Sequence, residues 1–138
     1  MANYIAQWRS NHFCVKDTDA FEKEMSGIPG VYAEKEEDGR FVLSCSSDDD
    51  TGSMPQYRYG NKDEDEEEEI DFPAIIASHL LNGEVAILME VGYEKLRYLV
   101  GEAIAVNSKG ETRHVSLNDI YERAKELTAR AEITMAEY

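Results

Sequence analysis

The sequence predicts an α+β domain: a ferredoxin-like β-α-β-β-α-β core with an antiparallel sheet, extended by a C-terminal hairpin and helix. Three observations predict it. Strand-like and helix-like runs follow one another in the order β-α-β-β-α-β-β-β-α. Capping residues open the helix-like runs, and short Gly-containing turns join the strand-like ones. An acidic, weakly patterned stretch at about 46–70 interrupts this order before the second helix, and loops of that length are commonly functional or disordered. With 138 residues and 42% hydrophobic content, the chain reads as a single domain, 1–138, large enough for a real core.

Tyr4 to Val15 (YIAQWRSNHFCV) is rich in aromatic and β-branched residues and reads as strand, with Asn11 marking a bend or bulge. Asp17 or Thr18 caps a short helix whose Phe21, Met25 and Ile28 fall at helical spacing, and Gly27, Pro29 and Gly30 end it. Val31–Lys35 and Arg40–Ser46 form a hairpin around Glu36-Glu37-Asp38-Gly39. Gln56-Tyr57-Arg58-Tyr59 reads as an edge strand or a pinned loop. Asp71 is the expected N-cap of a second helix, with Pro73 in its first turn, Ile75, Ile76, Leu80 and Leu81 on its buried face, and Gly83 at its end. Val85–Val91 (VAILMEV) is the most apolar strand. Gly92–Lys95 turns it into Leu96–Val106, and Asn107-Ser108-Lys109-Gly110 turns that into an edge arm, Glu111–Leu117. A last helix over 119–137 is lined by Ile120, Ala124, Leu127 and Ala131.

The charge is local. Residues 34–71 hold fifteen Asp or Glu against four Lys or Arg, a net of −11 in a chain whose total is −15. Such a field attracts basic partners and repels nucleic acid and anionic lipid. Two readings follow. The run solubilises the protein, as blocks of like charge usually do, or its carboxylates imitate a phosphate backbone and occupy the nucleic-acid groove of another protein. For the second reading the partner-binding residues are Asp48, Asp49, Asp50, Asp63, Glu64, Asp65, Glu66, Glu67, Glu68, Glu69 and Asp71, with Tyr57 and Tyr59 beside them.

Catalytic motifs are not found: there is no G-x-S-x-G, H-E-x-x-H, P-loop or G-x-G-x-x-G after a strand. His12, His79 and His114 lie far apart and read as structural residues. Asp48-Asp49-Asp50-Thr51-Gly52 resembles the start of a calcium loop, but Ser53 and Tyr59 stand where Gly and Glu are needed, so no metal and no cofactor are expected. Cys14 and Cys45 have no zinc or redox spacing and read as reduced thiols. Strand aromatics such as Tyr4, Trp8, Phe13, Phe41, Tyr93 and Tyr98 could stack RNA bases, yet no basic-aromatic segment accompanies them and the net charge opposes it. Trp8-Arg9-Ser10-Asn11 and Tyr57-Arg58-Tyr59 are interface-like aromatic–Arg clusters, although Arg58 also has acids to balance. No apolar run is long enough to span a membrane and no signal peptide is evident, so the expected location is the cytoplasm.

Arg9-Ser10-Asn11-His12-Phe13, Val15-Lys16-Asp17, Ala20-Phe21, Leu88-Met89-Glu90-Val91-Gly92, Leu96-Arg97-Tyr98 and Val106–Glu111 together resemble a family of small acidic proteins of phages, plasmids and integrative elements, mostly without assigned function. The resemblance implies a setting in which accessory genes encode inhibitors of host defence, including anti-CRISPR and anti-restriction proteins, many of them acidic DNA mimics. It carries no catalytic residue. The resulting expectation is a non-enzymatic inhibitor that blocks a basic nucleic-acid-binding host protein, a CRISPR effector or restriction enzyme. The alternative is a structural or regulatory module, pairing as a homodimer through Glu111–Leu117 or the last helix, with the acidic run only solubilising.

Overall fold

Asn11 decides where the first strand stops. A computed structural model of the chain describes residues 4–45, 53–59, 67–94, 98–129 and 132–136, with the backbone alone at 59, 67 and 98. In it β1 (Tyr4–Ser10) ends short of Val15. At Asn11 the main-chain N–H still donates to Ile87 O at 3.1 Å, and its side chain takes over from there, donating to Val85 O at 3.1 Å and accepting from Ile87 N at 2.8 Å. The chain then bends inward, bridging Phe13 to Phe41 and Val15 to Leu80.

α1 (Thr18–Ser26) is capped by Asp17, whose carboxylate accepts from Ala20 N at 3.1 Å, and buries Phe21 and Met25. β2 (Val31–Lys35) and β3 (Phe41–Cys45) form the expected hairpin. Its turn is held by Asp38, which accepts from Arg40 N at 3.0 Å and Arg40 Nε at 2.7 Å, and by Gly39 at φ +90°. These Arg40 bonds hold the Asp38 carboxyl below its ordinary pKa.

The acidic stretch is not wholly irregular. β4 (Tyr57–Tyr59) and β5 (Glu67–Glu69) pair antiparallel as a separate two-stranded sheet. The second of these strands was not expected, because Glu has poor strand propensity.

α2 (Phe72–His79) is capped by Asp71 Oδ1, which accepts from Ala74 N at 3.2 Å, with Pro73 in its first turn. It ends before Gly83. Leu80 is pulled into extended conformation by its bridge to Val15, while Lys16 N and Cys14 O take up His79 O and Leu81 N.

β6 (Val85–Glu94), β7 (Tyr98–Asn107) and β8 (Thr112–Ser116) form a meander. β6 runs through Gly92 instead of turning there. A Cβ on Gly92 would lie 2.6 Å from Ile5 O and 2.8 Å from Tyr4 Oη, so this glycine serves close packing between strands. The C-terminal helix is shorter than expected: α3 (Ile120–Ala124) sits between 3-10 turns at Leu117–Asp119 and Lys125–Leu127, and none of these residues is buried.

The main sheet has six strands, antiparallel throughout, in the order β2-β3-β1-β6-β7-β8. The architecture is therefore α+β. One face carries Trp8, Leu43, Leu88 and Val106 and packs against Phe21 and Met25 of α1 and Phe72 and Ile76 of α2. Phe21 sits among Phe13, Phe41 and His79 with centroid distances of 5.8, 5.0 and 5.4 Å, and Trp8 meets Phe72 edge-on at 5.5 Å.

Candidate functional site

The acidic segment is fastened to the helix-side face of the sheet at several points. Met54 and Ile70 pack against the core, and Ile70 N donates to Gln56 O at 2.9 Å, closing the base of the β4–β5 pair. Met54 N donates to Glu90 Oε1 at 2.6 Å, and Tyr4 Oη donates to Glu90 Oε2 at 2.9 Å. Glu90 is buried, and these two charge-assisted bonds offset part of its desolvation. Arg58 then ties the hairpin to α1, with Nε 3.1 Å from Glu68 Oε2 and Nη1 3.4 Å from Glu24 Oε2. Glu68 first, then Glu24, raises the pKa of the guanidinium.

This geometry sorts the expected binding residues. Asp48, Asp49, Asp50, Asp63, Glu64, Asp65 and Glu66 lie outside the described residues. Glu67 and Glu69 belong to β5, and Glu69 is exposed. Glu68 is committed to Arg58, and Asp71 to the helix cap, so neither is a free carboxylate. Tyr57 is half exposed beside the hairpin, and Tyr59 pairs with Glu67 along the backbone. Of the two aromatic–Arg clusters, the one at Trp8–Asn11 is not an exposed anchor, because Trp8 and Ser10 face the core.

No family model, no curated protein and no solved structure matches the chain.

The other face of the sheet was missed by sequence reasoning. Met89, Val91 and Tyr93 of β6, Leu99 of β7 and Val115 of β8 project from it and are all exposed. Ala103 and Gly101 lie between them, and Leu117 folds over Gly101, where a Cβ would approach its side chain to 2.7 Å. A shallow apolar groove of about 260 Å³ runs along this face between Met89 and Leu117. The signal was present in the β6 sequence VAILMEV: apolar residues at both alternating positions mark a strand covered on both sides.

A cleft of about 360 Å³ opens on the helix side between the acidic segment and the sheet, lined by Tyr4, Met54, Phe72, Glu90, Ile104 and His114. His114 Nε2 lies 4.0 Å from Glu102, His12 Nε2 3.5 Å from Glu36, and His79 Nε2 3.3 Å from Glu24. Each histidine thus has its own carboxylate, on a different element. Among the described residues no three His, Cys, Asp or Glu side chains are grouped to hold a metal ion. Cys14 and Cys45 are both free and half-buried. No helix among the described residues is long and apolar enough to cross a membrane.

Proposed function

We propose that this chain is a non-enzymatic inhibitor that uses the acidic segment between β3 and α2 to block the basic groove of a nucleic-acid-handling host defence protein. One observation carries the reading: a segment of extreme charge is fastened to a folded core instead of trailing from a terminus. Its anchors are Met54 to Glu90, Ile70 to Gln56 and Arg58 to Glu68 and Glu24. The anchored residues 53–59 and 67–71 need no ordering on binding, so less ordering entropy opposes contact with a basic surface. It would replace the phosphates of a nucleic acid and reverse the counterion exchange that favours them.

The order β2-β3-β1-β6, with α1 and α2 packed on one face, supports reading the first part of the chain on the ferredoxin-like plan, with the acidic segment inserted before the second helix and β7 and β8 added at the edge. A second reading, an interaction module in which the acids are only structural or solubilising, is favoured by Glu68 and Asp71, whose carboxylates are used within the fold.

Capture from a bacterial lysate rich in CRISPR and restriction proteins separates the two. The native chain is compared with one in which Asp63 and Asp65 become Asn, and Glu64, Glu66, Glu67 and Glu69 become Gln. Glu68 is kept because it holds Arg58. The proposal expects the native chain to retain a nucleic-acid-handling protein and the neutralised, still-folded chain to lose it. Equal capture by both would move the interface to the folded core and contradict mimicry.

A further inference from the structure

We infer that the open face of the six-stranded sheet is the contact between two copies of this chain, packed face to face as a symmetric dimer. This inference is independent of the function proposed above. It starts from a mismatch between sequence and fold. β6 reads as a strand buried on both faces, yet only its Ala86–Leu88–Glu90 side is covered, and Met89 and Val91 on the other side are 55% and 63% exposed. A contiguous apolar surface of this kind on a sheet is a contact surface.

Among the described residues, the C-terminal segment 132–136 borders this face only at its Leu99–Leu117 corner, through Met135 and Ala136, and leaves the groove between Met89 and Leu117 open. The two longest stretches outside the described residues, 46–52 and 60–66, contain no apolar side chain. α3 stands near the β7–β8 end of the sheet with Ile120 exposed, and it buries nothing. A helix of five residues has no stability of its own and depends on packing.

Three features select a second copy as the occupant. The first is charge. On this face the described residues of β1, β6, β7 and β8 present no Asp or Glu; their charged side chains there are Arg9 and Arg113, on the two flanking strands, and Glu34 lies farther out on β2. In a chain of net charge −15 this is the side on which two copies can approach, because the described part of the acidic segment is fastened to the opposite, helix-bearing side. Two chains meeting here direct the described parts of their acidic segments away from one another. The second is area. At about 3.4 Å per residue and about 4.8 Å per strand, the ten residues of β6 and of β7, the seven of β1 and the five of β8 give a flat surface of roughly 500 Å². With Leu117 and Ile120 added, two copies together bury on the order of 1,200 Å², the low end of specific interfaces. The third is shape. An antiparallel sheet with one open apolar face is half of a sandwich, and two such sheets stack about 10 Å apart with their strands within about 30°. A symmetric pairing supplies the second half from the same patch.

The test is sedimentation velocity across protein concentration and salt, using the native chain and the variants Val91→Lys and Leu99→Lys. Both positions are more than half exposed, so neither substitution disturbs the core, and circular dichroism checks this. The native chain is expected to sediment at twice the 15.6 kDa chain mass at tens of micromolar. Each Lys variant is expected to weaken the dimer at least tenfold while staying folded. Raising the salt should leave the native dimer unchanged or tighter, since an apolar contact between like-charged chains gains from screening. A native chain that remains monomeric at several hundred micromolar overturns the proposal, whether the face then proves to hold a different protein or a lipid surface. A dimer unaffected by both substitutions also overturns it, because the contact then lies elsewhere, such as the β8 edge.

Discussion

Glu90 is the residue on which the acidic segment turns. It lies in the most apolar strand, on the core side, and its two oxygens hold Tyr4 and the backbone of Met54. Gly92 makes this possible, since any Cβ there would strike the Tyr4 hydroxyl that reaches across it. Cys14 also depends on a partner distant in sequence. Burial first, and then the Glu84 carboxylate that accepts from Cys14 N at 2.7 Å, raises its thiol pKa above the ordinary value. The native chain therefore keeps this proton where the unfolded chain has lost it. The stability so gained is complete below the unfolded thiol pKa, about 8.5, and is lost as pH rises through the native one. Cys14 should consequently be alkylated more slowly in the folded chain than in urea at pH 8–9, and Glu84→Gln should narrow the gap; equal rates would show the thiol unperturbed. Neither role was legible in the sequence, because both depend on distant partners: Tyr4 stands 86 residues from Glu90, and Cys14 stands 70 from Glu84.

The elements divide according to whether local chemistry or tertiary contact defines them. α1 and α2 start where their Asp caps say, and the β2–β3 hairpin turns where Asp38 and Gly39 stand, because capping and positive φ are local requirements. Asp71 can therefore be assigned by substitution. Asp71→Ala should cost about 1 kcal/mol of stability and Asp71→Asn close to nothing, since Asn caps equally well. Chemical denaturation measures both. A loss of partner capture by Asp71→Asn at unchanged stability would instead give this carboxylate a role outside the fold. Elements at odds with their own composition were not legible. β5 is three glutamates held in a strand by pairing with Tyr57–Tyr59 and by Arg58. β1 ends where the Asn11 side chain takes over the pairing with β6 that the following residues would otherwise make. The last helix loses most of its expected length because Ile120 and Leu127 meet no core, being 59% and 89% exposed.

For the whole molecule, the sheet separates two kinds of surface. On one side the helices, the buried core and the anchored base of the acidic segment lie together; on the other, an apolar face flanked by two arginines is open. The sequence displayed both signals, a local net charge of −11 over 34–71 and a strand apolar at alternating and intervening positions alike. What it did not display was that the described base of the acidic segment and the apolar face lie on opposite sides of one sheet, which follows from strand order and register. Salt acts in opposite directions on the two surfaces: it screens a charged interface and spares an apolar one. The measurement that tests the central claim most directly is therefore the affinity of the captured partner for this chain over a range of salt concentrations. The account predicts that log K falls steeply and linearly with log salt, and that neutralising Asp63–Glu67 and Glu69 removes most of that slope. Affinity that is the same at low and high salt would contradict it.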